Sequence, residues 1–388
     1  MVRLQAGLTA MGVLVVGFGL PSILPDSLAL RSAAVSENET MVAAAFERHG
    51  PADVLKTRPH YPRPIAGKGM VLIRVSTASI NPVDFKLRRN AGAWPFLPKP
   101  KIPSMDLAGV VVEGPPDSRF KAGDRVAAMM PILNERWGAS AQFAAVHERF
   151  VAKVPANVTL QQAASLPLVS LTVIQAFNRL GDDGLRGKKV LIHAGAGGVG
   201  TFALQFAKLQ GAAQVITTCS RGKSDLCRDL GADVTVDYRT EMFEEYAGDV
   251  DVILDTMSYS YEQRSLAVLS RKGQHGHYLN ILSSDWRLPE SGIERANGLT
   301  TAANLIASFL PNIHSRPRPR YSLIAVEPNG AQLQTVLNHV AAGEIRPVID
   351  RTFPLAEAAA AHSYLEEGHA TGKVRSSRPP PRLPATGT

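Results

Sequence analysis

The sequence predicts an α/β protein in which a unit of short β-strands precedes a doubly wound parallel sheet. Up to about residue 146, short apolar or alternating runs are separated by glycine, proline and charged turns, which is typical of an all-β unit. From about residue 188, strand-like and helix-like runs alternate, which indicates parallel strands with helices on both faces. The chain has 388 residues, a length that suggests about two domains.

The strands of the β unit are predicted from short apolar runs. They are VAAAF at 42–46, VLIRVSTASI at 71–80, LAGVVVEG at 107–114, DRVAAMM at 124–130 and AQFAAV at 141–146. After Thr159 the apolar residues follow a longer spacing, which predicts helices through residues 160–180.

The second part of the chain is predicted to alternate between strands and helices. Strands are predicted at 188–195, 214–220, 233–238, 250–256 and 275–282, and helices at 199–210, 223–231 and around 265–273. Strand character returns at 320–326, and a helix at 330–343 precedes a short strand at 348–353.

A glycine motif lies between the first strand and the first helix of this alternating part. Gly195, Gly197 and Gly200 form G-x-G-x-x-G, in which the first glycine permits a turn, the second admits a pyrophosphate and the third packs helix on strand. Gly198 and Val199 lie at the start of the predicted helix, whose free N–H groups would bind phosphate. The alternative is a tight turn without a ligand, and the strand–helix context favours dinucleotide binding.

The second strand of the parallel sheet ends without an acidic residue. An enzyme that uses NAD tends to place Asp or Glu there for the ribose hydroxyls, whereas this chain has Ser220, Arg221 and Lys223. Two cations and a hydroxyl would attract a 2′-phosphate, which a carboxylate would repel. The alternative is a helix start whose charges face water, and the missing acid favours NADPH as the cofactor.

Several longer motifs follow one another in a recognisable order. They are NPVD (81–84), IPSMDLAGVVVEG (102–114), FKAGDRV (120–126), LPLVSLTV (166–173), GAGGVG (195–200), LGADVTVDYR (230–239) and IRPVIDRTFPLAEAAAAHSYLEEGHATGK (345–373). This set resembles the medium-chain dehydrogenase/reductase superfamily, and within it the NADPH quinone oxidoreductases, including the reticulon-interacting mitochondrial oxidoreductases. The resemblance covers about residues 41–374.

The resemblance implies a division of the chain into domains. Residues 41–167 would form a GroES-like catalytic domain and residues 168–311 a Rossmann domain that binds NADPH. Residues 312–374 would complete the GroES-like domain. The family's last strand should follow residue 372, but the chain turns into RSSRPPPR, which leaves the closing strand in doubt and predicts a disordered tail over 375–388.

The resemblance also implies roles for individual residues. Lys223 and Tyr238 would lie near the 2′-phosphate and Thr172 near the nicotinamide. Asn81 and Asp84 would lie in the cleft between the domains, as the candidate catalytic residues. A strand cap at Tyr238 and a simple turn at Asn81 are the structural alternatives.

Zinc-dependent members of the family carry ligands that this chain lacks. They use Cys, His and an acidic residue as catalytic ligands, together with a four-cysteine lobe. Here Asn81 stands at the position of the ligand cysteine, and the two cysteines, Cys219 and Cys227, both fall in the nucleotide domain. We therefore expect no zinc, hence no Lewis acid that polarises an alcohol, and a preference for electron-poor acceptors.

The predicted function is hydride transfer from NADPH to a small quinone or an α,β-unsaturated carbonyl, with water or a cleft hydroxyl supplying the proton. The alternative is a catalytically weak NADPH-binding sensor or membrane-associated scaffold. Trp94, in a loop where enoyl reductases of the family carry a tyrosine, motivates that alternative. The net charge is +8, but no nucleic-acid-binding motif accompanies it. Relatives are often homodimers.

The first forty residues are predicted to lie outside the fold. Residues 4–24 carry no charge and have the length of a membrane-spanning helix, although a signal peptide or an artefact of start-site choice would also account for them. A cytoplasmic or mitochondrial location is expected, and a membrane-anchored or secretory-pathway location is the alternative.

Overall fold

The computed structural model describes residues 40–89, 98–131, 136–257, 260–270, 276–281 and 319–377. The chain divides into the units Met1–Thr40 and Met41–Thr388. The described helices and strands lie in the second unit, apart from Thr40, which is the first residue of the first strand. No helix within the described ranges is long and apolar enough to cross a membrane. The apolar residues 4–24 lie outside those ranges.

The predicted β unit is a seven-stranded sheet with a two-stranded companion. The companion pairs β1 (Thr40–Ala45) with β2 (Lys56–Pro62). The sheet contains β3 (Met70–Ile80), β4 (Asp106–Glu113), β5 (Arg125–Met129), β6 (Phe143–His147), β7 (Val151–Lys153), β14 (Ile349–Pro354) and β15 (Lys373–Ser377). Its order is β14-β15-β3-β4-β5-β7, and β6 also pairs with β3.

The closing strand β15 is fully formed, which corrects the doubt raised by the sequence. It pairs in parallel with β14 and in antiparallel fashion with β3, so that Arg375–Ser377 lie in a strand and not in a tail. Side chains alternate along a strand: Val374 and Ser376 are buried while Arg375 and Ser377 are partly exposed, and Lys373 at the start of the strand is buried as well. A polar sequence can form this strand because backbone groups make the ladder on both sides.

The alternating part of the chain is a six-stranded parallel sheet. Its strands are β8 (Lys189–Ile192), β9 (Gln214–Cys219), β10 (Val234–Asp237), β11 (Val252–Asp255), β12 (His277–Ile281) and β13 (Arg320–Ile324). The order β10-β9-β8-β11-β12-β13 is the dinucleotide-binding order 3-2-1-4-5-6. The boundary expected after residue 311 is corrected here, because β13 pairs with β12 in this sheet.

Nine helices connect these strands within the described residues. They are α1 (Pro82–Arg89), α2 (Leu160–Ala164), α3 (Pro167–Phe177), α4 (Gly198–Leu209), α5 (Ser224–Asp229), α6 (Phe243–Tyr246), α7 (Ser260–Ser270), α8 (Gly330–Ala341) and α9 (Ala358–Glu366). Thr159 and Gln162 close a reciprocal capping box at the start of α2, which fixes where the chain leaves the β domain.

Helix α3 joins the two domains through the main hydrophobic core. It is apolar and buried on nearly every side, as expected for an internal helix. The core around it includes Met129 from β5 of the seven-stranded sheet and Phe202 from α4, beside the parallel sheet. Because one core spans both domains, the residues that face each other across their junction are held in a fixed arrangement.

Candidate active site and cofactor cleft

The glycine turn follows β8 and opens α4, as the sequence predicts. A Cβ on Gly195 would lie 2.1 Å from Thr217 Oγ1, and one on Gly200 would lie 2.3 Å from the Ala194 carbonyl oxygen. Close packing therefore excludes side chains at both positions. At Gly197 the nearest described atom, the Ala194 oxygen, would be 3.3 Å away, so this glycine leaves space that a pyrophosphate could use.

The N-terminus of α4 has no side-chain cap within the described residues. Gly197 is the residue before the helix. The first-turn N–H groups of Gly198, Val199 and Gly200 have no partner inside a helix, and they carry partial positive charge suited to phosphate. Ala194 enters the turn with φ of 54°, a left-handed backbone that costs alanine roughly 1 kcal/mol.

The residues predicted to hold a 2′-phosphate gather at the ends of β9 and β10. Ser220 follows β9 and precedes a 3-10 turn, Arg221–Lys223. Tyr238 follows β10, and its N–H donates to the Cys219 carbonyl oxygen at 3.3 Å. Lys223 donates from Nζ to the His369 carbonyl oxygen at 2.8 Å.

The sequence analysis did not identify an acidic residue that lies near this group. Glu241 accepts from the Asp237 N–H at 2.7 Å and from the Tyr246 hydroxyl at 2.6 Å. Tyr246, the Asp237 N–H and the Arg221 charge together hold the pKa of Glu241 below its usual value. The end of β9 itself has no carboxylate, but Arg221 has an acidic neighbour whose oxygens are already engaged.

A buried polar network occupies the junction of the domains. Asn81, between β3 and α1, donates from Nδ2 to Asp106 Oδ2 at 2.9 Å. Lys373, the first residue of β15, donates from Nζ to Asn81 Oδ1, and its Nζ lies 3.5 Å from Asp106 Oδ2. The nitrogen and the oxygen of the Asn81 side-chain amide are therefore both hydrogen-bonded, which fixes the orientation of the amide.

The charges in this network oppose the effect of burial. Burial raises the pKa of Asp106 and is opposed mainly by Lys373. Burial lowers the pKa of Lys373 and is opposed mainly by Asp106. Each residue thus favours the charged form of the other in a site that would otherwise neutralise both.

Asp84 supports this network from the side. Its Oδ2 accepts from the Asn81 N–H at 2.7 Å and its Oδ1 from the Ser104 N–H at 2.9 Å. Burial raises the pKa of Asp84 to about 7, and the neighbouring Asp106 adds to the rise while the two N–H donors oppose it. Both carboxylate oxygens of Asp84 accept from backbone N–H groups. Asp84 therefore holds the backbone of Asn81 in position.

Thr172 lies on α3 and joins the same network through Leu168. Its Oγ1 donates to the Leu168 carbonyl oxygen at 2.7 Å, and the Leu168 N–H donates to Asp106 Oδ1 at 2.8 Å. The start of α3 is thereby tied to the network, and the Thr172 hydroxyl already has an acceptor in its own helix.

The network adjoins the glycine turn through the strand that carries Lys373. Gly372 forms a bridge with Gly197, and its N–H donates to the Ala196 carbonyl oxygen at 2.9 Å. A Cβ on Gly198 would lie 3.0 Å from Lys373 Cδ. The glycine turn and the buried ion pair therefore lie next to each other in the structure.

Lys373 and Asp106 are site residues that the sequence prediction missed. Both stood inside motifs, in ATGK and PSMD, that served only to indicate the family. Each of them is a charged residue within a segment that forms a buried strand, and that pattern could have indicated a buried ion pair. Trp94 lies outside the described residues, so the loop that would carry a proton donor stays a prediction.

Comparisons with known proteins identify the family of this chain. A family model described as the alcohol dehydrogenase GroES-like domain matches residues 67–156, and one described as zinc-binding dehydrogenase matches residues 230–374. The chain is 31% identical over 351 residues to 2-methylene-furan-3-one reductase of Solanum lycopersicum, covering 88% of this chain and 80% of that protein. The chain belongs to the medium-chain dehydrogenase/reductase superfamily, in its quinone oxidoreductase branch.

Further relatives of this superfamily agree. The mitochondrial NAD(P)H oxidoreductase RTN4IP1 of Mus musculus is 33% identical, with 87% of this chain and 89% of that protein covered. The quinone oxidoreductase structure from Coxiella burnetii has a TM-score of 0.74 at 28% identity and covers 87% of this chain and 99% of that one. The predicted family and fold class are confirmed.

Proposed function

We propose that this member of the superfamily is an NADPH-dependent oxidoreductase that transfers hydride to a quinone or to a carbon–carbon double bond conjugated to a carbonyl. The observation that carries the proposal is the meeting of the Lys373–Asn81–Asp106 network with the open glycine turn. The names of relatives support the reaction class, since they include reductases and quinone oxidoreductases. A mycobacterial neighbour was solved with NADPH at 26% identity and a TM-score of 0.69, covering 87% of this chain and 100% of that one.

The residues present fit NADPH. The pyrophosphate would lie on the first turn of α4, where Gly197 leaves space, and the 2′-phosphate beside Ser220, Arg221, Lys223 and Tyr238. When bound, the cofactor would supply the hydride. The chain's own contribution is to orient it and to exclude water from the cleft, which accounts for much of catalysis when the cofactor carries the chemistry.

Within the cleft we assign the principal role to Asn81 and Lys373. The fixed Asn81 amide would orient the ring end of the cofactor or the acceptor. The buried Lys373 ammonium places positive charge at the junction, and its field would favour negative charge that develops on an acceptor oxygen. Asp84 would hold Asn81 in place, and Asp106 would hold Lys373.

We also infer that the reaction needs no zinc. Asn81 occupies the position at which zinc-dependent relatives carry a ligand, and its amide is already engaged on both sides. Within the described ranges no group of three or more His, Cys, Asp or Glu side chains is arranged as a metal site. One matching family model is described as a zinc-binding dehydrogenase. Metal analysis of the purified protein therefore tests whether this chain binds zinc.

A homodimer and a mitochondrial or cytoplasmic location remain proposals. Strand β13 lies at the edge of the parallel sheet and, among the described strands, pairs only with β12. An open strand edge is a ready template for a second chain. One relative is named as mitochondrial and another as chloroplastic, which favours an organellar setting.

The test is NADPH consumption by the purified chain across a panel of quinones and enones. We expect turnover with some acceptors and its loss in Gly197→Val, whose side chain would fill the pyrophosphate space. Gly248→Val is the matched control, because Gly248 is exposed and no described atom lies within 4 Å of a Cβ there. Tight NADPH binding with no oxidation by any acceptor would favour the sensor role instead.

A further inference from the structure

The chain between α9 and β15 contacts two parts of the proposed cofactor site. This linker, residues 367–372, runs from the end of α9 to the start of β15. It is exposed from Glu367 to His369 and buried at Gly372. Its exposed end and its buried end each contact an element to which we assign a cofactor phosphate.

Lys223 contacts the exposed end of the linker. Its Nζ donates to the His369 carbonyl oxygen at 2.8 Å, and within the described part of the chain this is the hydrogen bond that the ammonium makes. An ammonium group has three N–H donors. Lys223 can therefore bind a phosphate beside the 3-10 turn Arg221–Lys223 and keep its hydrogen bond to the linker.

The buried end of the linker packs against the glycine turn. Gly372 forms a bridge with Gly197, and its N–H donates to the Ala196 carbonyl oxygen at 2.9 Å. A Cβ on Gly372 would lie 2.4 Å from the Val348 carbonyl oxygen, and the φ of 74° also favours glycine. The residue that follows this closely packed end is Lys373, whose ammonium belongs to the buried network.

Local opening of the linker would disturb that network. Exposed segments with few buried contacts open at a low cost in free energy, and Glu367 to His369 form such a segment. The chain from His369 to Lys373 spans at most about 14 Å. An opening that starts at the exposed end therefore reaches Lys373 within a few residues, and with it the ammonium that donates to Asn81.

We propose that Lys223 is a positioning residue that couples the 2′-phosphate of NADPH to the cleft. Its ammonium would hold the phosphate and the His369 carbonyl oxygen together and keep the linker closed. The closed linker would in turn keep the Lys373 ammonium on Asn81. This coupling rests on the proposed function, in which Lys223 binds the 2′-phosphate. NADH lacks that phosphate and would leave the linker with the exposed ammonium–carbonyl contact alone.

The coupling predicts a difference in rate as well as in affinity. The two cofactors differ only at a phosphate that is remote from the nicotinamide. Binding energy from a remote group raises kcat when the protein uses it to position groups at the reacting centre. We expect kcat with NADPH to exceed kcat with NADH by about fivefold, the order of one hydrogen bond to a charged group. In Lys223→Met the two kcat values should lie within about twofold of each other.

Amide hydrogen exchange of the linker tests the coupling without turnover. One probe is adenosine 2′,5′-bisphosphate, which carries the 2′-phosphate but no nicotinamide, and the other is adenosine 5′-monophosphate, which lacks the 2′-phosphate. Each probe is added to the full chain at saturation, as judged by its own dissociation constant. We expect the bisphosphate to slow exchange at Thr371 and Gly372 by about fivefold, and the monophosphate to change it by less than about twofold.

Three variants separate Lys223 from its neighbours. Lys223→Met removes every donor of the side chain and should abolish linker protection by the saturating bisphosphate. Lys223→Arg keeps a cation with several donors and should restore part of that protection. Arg221→Met changes the same 3-10 turn at a residue with no hydrogen bond to the linker in the described ranges. It should weaken binding of the bisphosphate but keep linker protection at saturation.

The results separate a failure of the coupling from a failure of the proposed site. Tight binding of the bisphosphate without linker protection would overturn the coupling and leave the 2′-phosphate assignment in place. Protection that persists in saturated Lys223→Met, or that disappears in saturated Arg221→Met, would also overturn the coupling. A wild type that binds the bisphosphate no more tightly than the monophosphate would contradict the 2′-phosphate assignment, and the coupling with it.

Discussion

Replacing Lys373 with methionine removes the positive charge of the buried network. The side chains of Lys373 and Asp106 are only 5% and 0% exposed. In Lys373→Met, Asp106 keeps the Asn81 amide and the Leu168 N–H as donors but loses its cation. Removing one partner of a buried pair costs about 3–5 kcal/mol. We expect about 3 kcal/mol of lost unfolding free energy, because two donors still face the carboxylate.

The loss should depend on pH in a defined direction. Lys373 is the main group that opposes the raised pKa of Asp106, so its removal raises that pKa further. A carboxyl whose folded-state pKa exceeds its unfolded value of about 3.9 stabilises fully below the unfolded pKa, and this stability is lost as pH rises through the folded pKa. The deficit of Lys373→Met relative to wild type should therefore shrink as pH falls from about 8 to about 5.

Urea unfolding at several pH values measures the deficit. Lys208→Met provides the matched control, since Lys208 Nζ lies 2.6 Å from Asp233 Oδ2 but both side chains are more than one-third exposed, at 35% and 38%. That surface pair should contribute less than about 1 kcal/mol. A Lys373→Met deficit no larger than that of the control, or one that stays constant with pH, would refute the reasoning.

Three further predictions concern the cofactor site, Asp84 and zinc. Replacing Arg221 and Lys223 together with alanine should weaken NADPH far more than NADH, since each charge-assisted contact is worth roughly 1.5–3 kcal/mol, and Ser220→Asp should move the preference further toward NADH. Dissociation constants at fixed salt decide this, and equal changes for both cofactors would mean that the residues only support the loop. Burial raises the pKa of Asp84 to about 7, so the unfolding free energy of wild type should fall as pH rises through about 7. The variant Asp84→Asn should show a flatter dependence of unfolding free energy on pH. An unchanged dependence would mean that another group titrates in this range. Metal analysis of the purified chain should find no stoichiometric zinc, and about one zinc per chain would contradict the expectation, since a catalytic site needs three protein ligands.

The parallel sheet could be predicted from sequence because each of its units is encoded locally. A strand, a glycine turn and a helix appear within residues 188–210, and their spacing predicts the turn that the structure has between β8 and α4. Strand β15 could not be judged in the same way. Its residues after Val374 are polar, and its stability comes from backbone pairing with β3 and β14, whose partners lie far away in the chain.

The buried network of Asn81, Asp106 and Lys373 could not be predicted from local sequence for a similar reason. Asn81 and Asp106 are 25 residues apart, and Asn81 and Lys373 are 292 residues apart. The sequence around any one of these three residues gives no indication that the other two are its partners. Asn81 was found only because a family motif contains it, whereas Lys373 acquires its role when β15 pairs beside β3 and brings the ammonium to the amide.

The chemistry of the Lys373–Asp106 pair argues for a role beyond stability. A buried ion pair can often be replaced by apolar residues of similar volume with no loss of stability, or with a gain. The double variant Lys373→Met with Asp106→Asn removes the unpaired buried charge and keeps an amide oxygen as acceptor for the Leu168 N–H or the Asn81 amide, so it should regain part of the unfolding free energy that Lys373→Met alone loses. If the pair serves only the fold, the double variant should also regain NADPH-dependent reduction. If the ammonium is needed beside the glycine turn, stability returns while kcat stays low, and the two measurements together separate the fold from the reaction.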